Sequence, residues 1–303
     1  IWTPQLRAID GINPRDPSLA HARKAGVTCV CTGPGSANVL GGTLFGHENH
    51  RRPCGQHDRE GNPRGPMKCA LWREPPSAAT ATSATPPACP RRRSCAGAEP
   101  GQGLRRPQAG GQRRRDQDAC LQPKAGSSAA GAGRHIPLKA HAHQANDIFT
   151  ALRIAHEFGL RLTLEHVTEG HLIVDELAKE ANVPMAVGPS LTFASKFELQ
   201  NKSWATPGVL AKAGCHVSII TDNSVIPQQY LPLCAGMAVK AGMDPFDALR
   251  AITLNAAEHI GVADRVGSLE VGKDADVVIT DGSPFEVMTE VRAVFIDGEM
   301  IRA

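Results

Sequence analysis

Aromatic side chains are scarce: one Tyr, three Trp and eight Phe among 303 residues. So thin a supply argues against a stacking platform for single-stranded nucleic acid. Nothing approaches 18 continuous apolar residues, and no basic-then-apolar leader opens the chain, so neither a membrane span nor a signal peptide is expected. The nine cysteines have no regular spacing and no Cys-x-x-Cys pair, which argues against a disulfide framework or a zinc ribbon. A soluble, cytoplasmic protein is the expectation.

What is present is unevenly spread. Residues 46–136 hold 14 Arg and 2 Lys against 7 acids, while the net charge of the whole chain is only +3. Four stretches follow from composition and pattern. Residues 1–43 read as folded sequence: Asp16-Pro17-Ser18 opens a helix running to Lys24, Gly26 ends it, and 27–32 is a strand before a Gly-rich turn. Residues 44–136 are rich in Pro, Gly, Ala, Ser and Arg and show almost no period of 2 or 3.6, the signature of a basic, irregular segment. A structureless insertion of that length inside a compact domain runs against the usual loop lengths.

Order returns over 137–262. Leu138-Lys-Ala140 leads into His141-Ala-His143. Ile148, Phe149, Leu152, Ala155 and Phe158 then recur at helical spacing, with Gly159 as the stop. Further strands are expected at 162–165, 183–187 and 216–220, and helix faces at Leu172, Ile173, Leu177 and Ala178 and at 209–213. Strand–helix alternation of this period predicts a parallel α/β sheet. Over 263–303 the pattern changes to apolar runs separated by Asp297-Gly298, a hairpin signal within a small β element.

Three polar groups sit just past apolar strand runs. His141 and His143 lie on one side of an extended chain, because side chains alternate with period two. Glu165-His166-Val-Thr-Glu-Gly-His171 closes a strand with groups a core does not welcome, and 218–220 runs into Thr221-Asp222. A loop histidine or a helix-capping aspartate is the ordinary reading of any one of them alone. Together, at the carboxyl ends of parallel strands, His141, His166 and Asp222 make a divalent-metal site. Zinc fits such donors, as do iron and manganese. A divalent cation brings water toward ionisation near neutral pH, and a carboxylate must take that proton and deliver it to a leaving amine. Asp222 is the residue assigned that role. His143 serves as a supporting or substrate contact, and His171 as a second one.

From His141 onward the chain resembles the metal-dependent amidohydrolase superfamily, in its imidazolonepropionase-like and Xaa-Pro-dipeptidase-like branch. His141 is similar to the family's fifth-strand ligand, His166 to the sixth-strand ligand and Asp222 to the eighth-strand aspartate. Asn255-Ala-Ala-Glu-His-Ile-Gly261 and the segment from Gly267 to Asp276 resemble its closing helix and its return to a small β-sandwich. The resemblance implies a (β/α)8 TIM barrel, incomplete here, and hydrolysis of a carbon–nitrogen bond with one or two divalent ions. Gly65-Pro-Met-Lys68-Cys-Ala70 resembles the fourth-strand segment whose lysine, once carboxylated, bridges two metals.

Two departures stand out. The family's first-strand His-x-His pair does not occur before residue 141, so an N-terminally truncated chain lacking part of the metal site is expected. Parts of 44–136 make sense one nucleotide later: Leu44-Phe-Gly-His-Glu-Asn-His50 can then encode Phe-Ser-Ala-Met-Lys-Thr-Thr, and Leu71-Trp-Arg-Glu-Pro75 can encode Phe-Gly-Glu-Asn-Pro. The arginine excess is on that reading a frame-shift product with no nucleic-acid role. Rival readings are a catalytically impaired remnant, a mononuclear deaminase, which needs a Glu acid and a further His, and a basic nucleic-acid-binding protein. The expected partner is a small-molecule substrate, with no nucleic acid and no membrane; the oligomeric state, a homo-oligomer included, is open.

Overall fold

The computed structural model describes residues 6–36, 40–48, 67–70 and 137–302. Most of the stretch 44–136 lies outside them, and with it the arginine clusters; the parts of it that are described, Phe45–Glu48 and Met67–Ala70, are strands where the composition predicts irregular chain. Near the start, Asp16 caps α1 (Pro17–Lys24) by accepting from the Ser18 N–H, as the Asp-Pro-Ser motif predicts. β1 (Cys29–Thr32) falls within the strand that the sequence predicts at 27–32, without joining the main sheet. It pairs instead with β3 (Phe45–Glu48) in an antiparallel ribbon of its own, while β2 (Leu40–Thr43) joins the main sheet.

That sheet has six strands in the order β2, β4 (Met67–Ala70), β5 (Leu138–Ala142), β6 (Leu162–His166), β7 (Met185–Val187) and β8 (Val217–Ile219). From β4 to β8 every pairing is parallel, and β2 runs antiparallel at one edge. The connections carry helices: α2 (Ala145–Phe158) after β5, the single turn α3 (Val174–Leu177) after β6, and α4 (Thr206–Lys212) after β7. The helix expected around Leu172–Ala178 is split, because Ile173 sits at φ −128 and ψ 32, outside helical values. After β8 come α5 (Leu231–Lys240), α6 (Pro245–Ile252) and α7 (Leu254–Ile260).

The core lies between this sheet and its helices. Ala140, Ala142, Leu162, Leu164, Met185, Val187 and Val217 present one sheet face to Ile148, Ala151, Leu152 and Ala155 of α2 and to Leu177 and Leu210. The buried stripe of α2 corrects the expected one. Phe149, a hundred degrees from Ile148 around the helix, is 40% exposed, and Phe158 in its last turn is 64% exposed. Each fully buried Leu or Ile here contributes about 1.5–3 kcal/mol through removal from water. Gly159 ends α2 in the left-handed region, at φ 60.

A separate three-stranded antiparallel sheet closes the chain, in the order β11 (Glu299–Arg302), β10 (Val291–Ile296) and β9 (Val277–Thr280). Asp297 and Gly298, at φ 53 and 74, form the two-residue turn between β10 and β11 that their dipeptide predicts. Among the described residues no helix is long and apolar enough to cross a membrane.

Candidate metal centre

The sequence of β5 alternates in character. Leu138, Ala140 and Ala142 turn to the helices, so Lys139, His141 and, one step past the strand, His143 turn to the opposite face. In β6, Leu162 and Leu164 take the helix side and Thr163 and Glu165 the other. Strict alternation would then put His166 back among the helices. It does not go there, because His166 and Val167 both adopt positive φ, 77 and 47. A left-handed β-branched residue is a genuine outlier, with strain on the order of 1–3 kcal/mol. The turn delivers the His166 ring to the side of His141.

Three buried imidazoles meet there. The ring centroids of His141 lie 4.7 Å from His143 and 4.3 Å from His166, and those of His143 and His166 are 4.4 Å apart. One ring nitrogen from each lies within 4.8 Å of the other two. Fixed contacts orient two of the rings. His166 Nδ1–H donates to the Gly188 carbonyl at 2.8 Å, which leaves the lone pair on Nε2. His143 Nδ1 lies 2.7 Å from the Thr168 hydroxyl, and its Nε2 is 3.8 Å from Oε1 of buried Glu198. Glu169 ties the surrounding loops together: it accepts from the Ala145 N–H at the start of α2 and from the Asn201 amide.

Burial, then the charge of His141 and the Lys196 and Lys202 ammoniums, push the His143 pKa down to about 3. The ring is therefore neutral at ordinary pH, the state a metal ligand needs. Three imidazoles converging on one small volume, two of them held by outer contacts, form a donor set that fits a divalent transition metal.

The other sequence-predicted residues are placed differently. Asp222 follows β8 at the same sheet edge, at φ 52, with its carbonyl accepting the Val225 N–H. It is exposed, and it is not in the group of ligand atoms within 4.8 Å; with His166 it lines a cavity of about 1430 Å³. Lys68 lies on β4, its Cα paired with Lys139 on the neighbouring strand, and its side chain falls outside the described residues. His171 is partly buried and its Nδ1 sits 2.9 Å from the Thr206 hydroxyl, away from the imidazole group. Sequence reasoning passed over Thr168 and Glu198, and also a buried trio of Lys139, Glu165 and His259. Charged residues at alternate positions of apolar strands were the available signal for Lys139 and Glu165.

The fold and the site define an α/β protein with a metal-ready cluster at the carboxyl ends of adjacent parallel strands. The amidohydrolase family profile matches residues 128–301, more than half of the chain, and the chain belongs to that family. It is 26% identical to the amidohydrolase tasK of Hapsidospora irregularis over 98% of its own length and 32% of that protein. It is 35% identical to the imidazolonepropionase of Symbiobacterium thermophilum over 47% of its length and 33% of that enzyme. The chain thus spans about a third of the length of these curated relatives. The crystal structure of an amidohydrolase from Thermotoga maritima superposes with a TM-score of 0.74 at 30% identity, covering 99% of this chain and 78% of that one.

Proposed function

We propose that the chain is a metal-dependent hydrolase of carbon–nitrogen bonds, acting on an amide, a cyclic amide or a dipeptide-like small molecule. The observation that carries this reading is the buried imidazole group at the carboxyl ends of neighbouring parallel strands. We read the six-stranded sheet as part of a (β/α)8 barrel, where that edge is the catalytic face. The likeness to the Thermotoga maritima structure supports both points.

In this reading His141 and His166 hold a divalent cation, zinc first, with iron or manganese suited to the same donors. Lys68, once carboxylated, offers oxygens to a second ion. When bound, such a cation supplies Lewis acidity toward the scissile carbonyl and toward water. The residues of the chain do the rest. Asp222 accepts a proton at its carboxylate and passes it to the departing amine nitrogen. His143, neutral and braced by Thr168, contacts substrate or completes the imidazole set.

Elemental analysis of the dialysed protein tests the reading. Stoichiometric zinc, iron or manganese is expected, lost in the His141→Ala/His166→Ala protein. Asp222→Asn should retain metal while turnover of an amide substrate panel falls about 10²–10⁴-fold. A wild-type protein free of transition metal ends the proposal. Metal without turnover would mark an impaired remnant of the enzyme.

A further inference from the structure

Three ionisable side chains that the hydrolytic reading does not use meet at the sheet face that bears His141. Lys139, Glu165 and His259 are 7%, 5% and 5% exposed. The Lys139 ammonium donates to Oε1 of Glu165. His259 Nε2, reaching in from α7, lies 2.7 Å from that same oxygen and 2.9 Å from the Lys139 nitrogen. His259 Nδ1 is buried with no hydrogen-bond partner among the described residues.

Stability alone gives a poor reason for this arrangement. Taking an ion pair out of water roughly cancels its attraction, and apolar side chains of similar volume often serve a core as well or better. His259 makes the balance worse. Protonated at Nε2, it donates to Glu165 and leaves Nδ1 an unpaired acceptor; protonated at Nδ1, it leaves a buried N–H unpaired. Either tautomer costs about 1–3 kcal/mol.

Position supplies a better reason. In the β5–β6 register His141 stands opposite Glu165 and Ala142 opposite His166, while Lys139 stands opposite Thr163. The Lys139–Glu165 contact therefore runs diagonally across the two strands and resists their sliding past each other. Lys139 is two residues before His141 on the same face, and Glu165 directly precedes His166, whose left-handed backbone needs an anchor. His259 ties α7 to both strands at once.

We propose that Lys139, Glu165 and His259 form a positioning clamp that sets the relative placement of His141 and His166 as cation ligands. The clamp rests on the metal reading above, and its contribution is to metal affinity more than to fold stability. The probe is cobalt(II) alone, titrated into the metal-stripped full chain and followed by visible absorption and by calorimetry. Glu165→Gln preserves shape and removes the charge; Lys139→Met/Glu165→Leu/His259→Leu replaces the trio by apolar groups.

Both variants are expected to bind cobalt about 10- to 100-fold more weakly, the range over which loss of groups that orient metal ligands is felt, and to change the ligand-field bands. The urea midpoint of the metal-free triple variant should equal or exceed that of the wild type. Variants that are folded and match the wild type in cobalt affinity and spectrum overturn the clamp while leaving the metal site intact. A wild-type chain that takes up no cobalt overturns both. A triple variant that cannot fold shows that the fold needs the trio and removes the stability half of the proposal; Glu165→Gln then decides the affinity half.

Discussion

Acidification of the metal-stripped protein should weaken it through His143, whose titration is coupled to that of His141. In the unfolded chain this imidazole has its ordinary pKa of 6.5, and in the folded protein burial and the neighbouring His141, Lys196 and Lys202 charges lower it to about 3. Between those values the unfolded chain takes up a proton that the folded one refuses. The stability from His143 is thus fully present above pH 6.5 and is lost as pH falls toward 3. The limiting slope is about 1.4 kcal/mol per pH unit, so roughly 2 kcal/mol should be gone by pH 5 and about 3 by pH 4. His259 is shifted in the same direction by burial and by Lys139, so the wild-type slope exceeds one proton. A difference measurement reports the ring together with its coupling to His141. Urea unfolding followed by circular dichroism at pH 7, 6, 5 and 4, in chelator and at fixed ionic strength, compares wild type with His143→Gln. The wild-type curve should fall faster by about 2–3 kcal/mol over that span. Two parallel curves would mean that His143 titrates normally in the folded state and that the site is wetter than its burial indicates.

Two further substitutions separate site from scaffold. Gly188→Ala places a Cβ 2.2 Å from the Ile220 carbonyl oxygen at a residue with φ 142, so the backbone must shift and the carbonyl that orients His166 moves with it. Both a stability loss of more than about 2 kcal/mol in urea unfolding and weaker zinc binding are expected. Asp244→Ala removes the cap that accepts from Phe246 and Asp247 at the start of α6, at about 1 kcal/mol, and zinc affinity by competition titration should stay unchanged.

Much of this was legible in the residues because two periods coexist in them. Leu138-Lys-Ala-His-Ala-His143 alternates strictly, so one look at its odd positions places His141 and His143 on one face, and the helical stripe that follows places that strand beside the next. Asp16 before Pro17, Gly159 after α2 and Asp297-Gly298 each announce a local conformation whose chemistry is short-range. What could not be read was non-local or broke a period. The left-handed step at His166 and Val167 is imposed by tertiary packing: Val167 is fully buried, and its N–H reaches the Ala142 carbonyl. No single-residue preference announces that a valine will sit there. The partner of β1 was unreadable because β3 (Phe45–Glu48) lies in the stretch 44–136, whose composition shows almost no strand period. His259 looked like one more residue of a closing helix, since its meeting with Lys139 spans 120 positions of sequence.

The two faces of the main sheet divide the work, and the division explains why the site tolerates so many buried polar groups. On the helix side, Ala140, Ala142, Leu164 and Met185 are at most 1% exposed and join the apolar cluster beneath the helices, so the stabilising burial is concentrated there. On the other face the same strands carry Lys139, His141, Thr163, Glu165 and Ser218, where removal from water is unfavourable unless each group has a partner. A strand built this way satisfies both demands only in one register, because a slip of a single residue would exchange the faces wholesale. Register is therefore set twice: by apolar side chains that must meet the helices, and by the diagonal Lys139–Glu165 contact on the opposite side. The second constraint acts one residue from His166 and two from His141, where a small displacement matters most to a cation and least to the core.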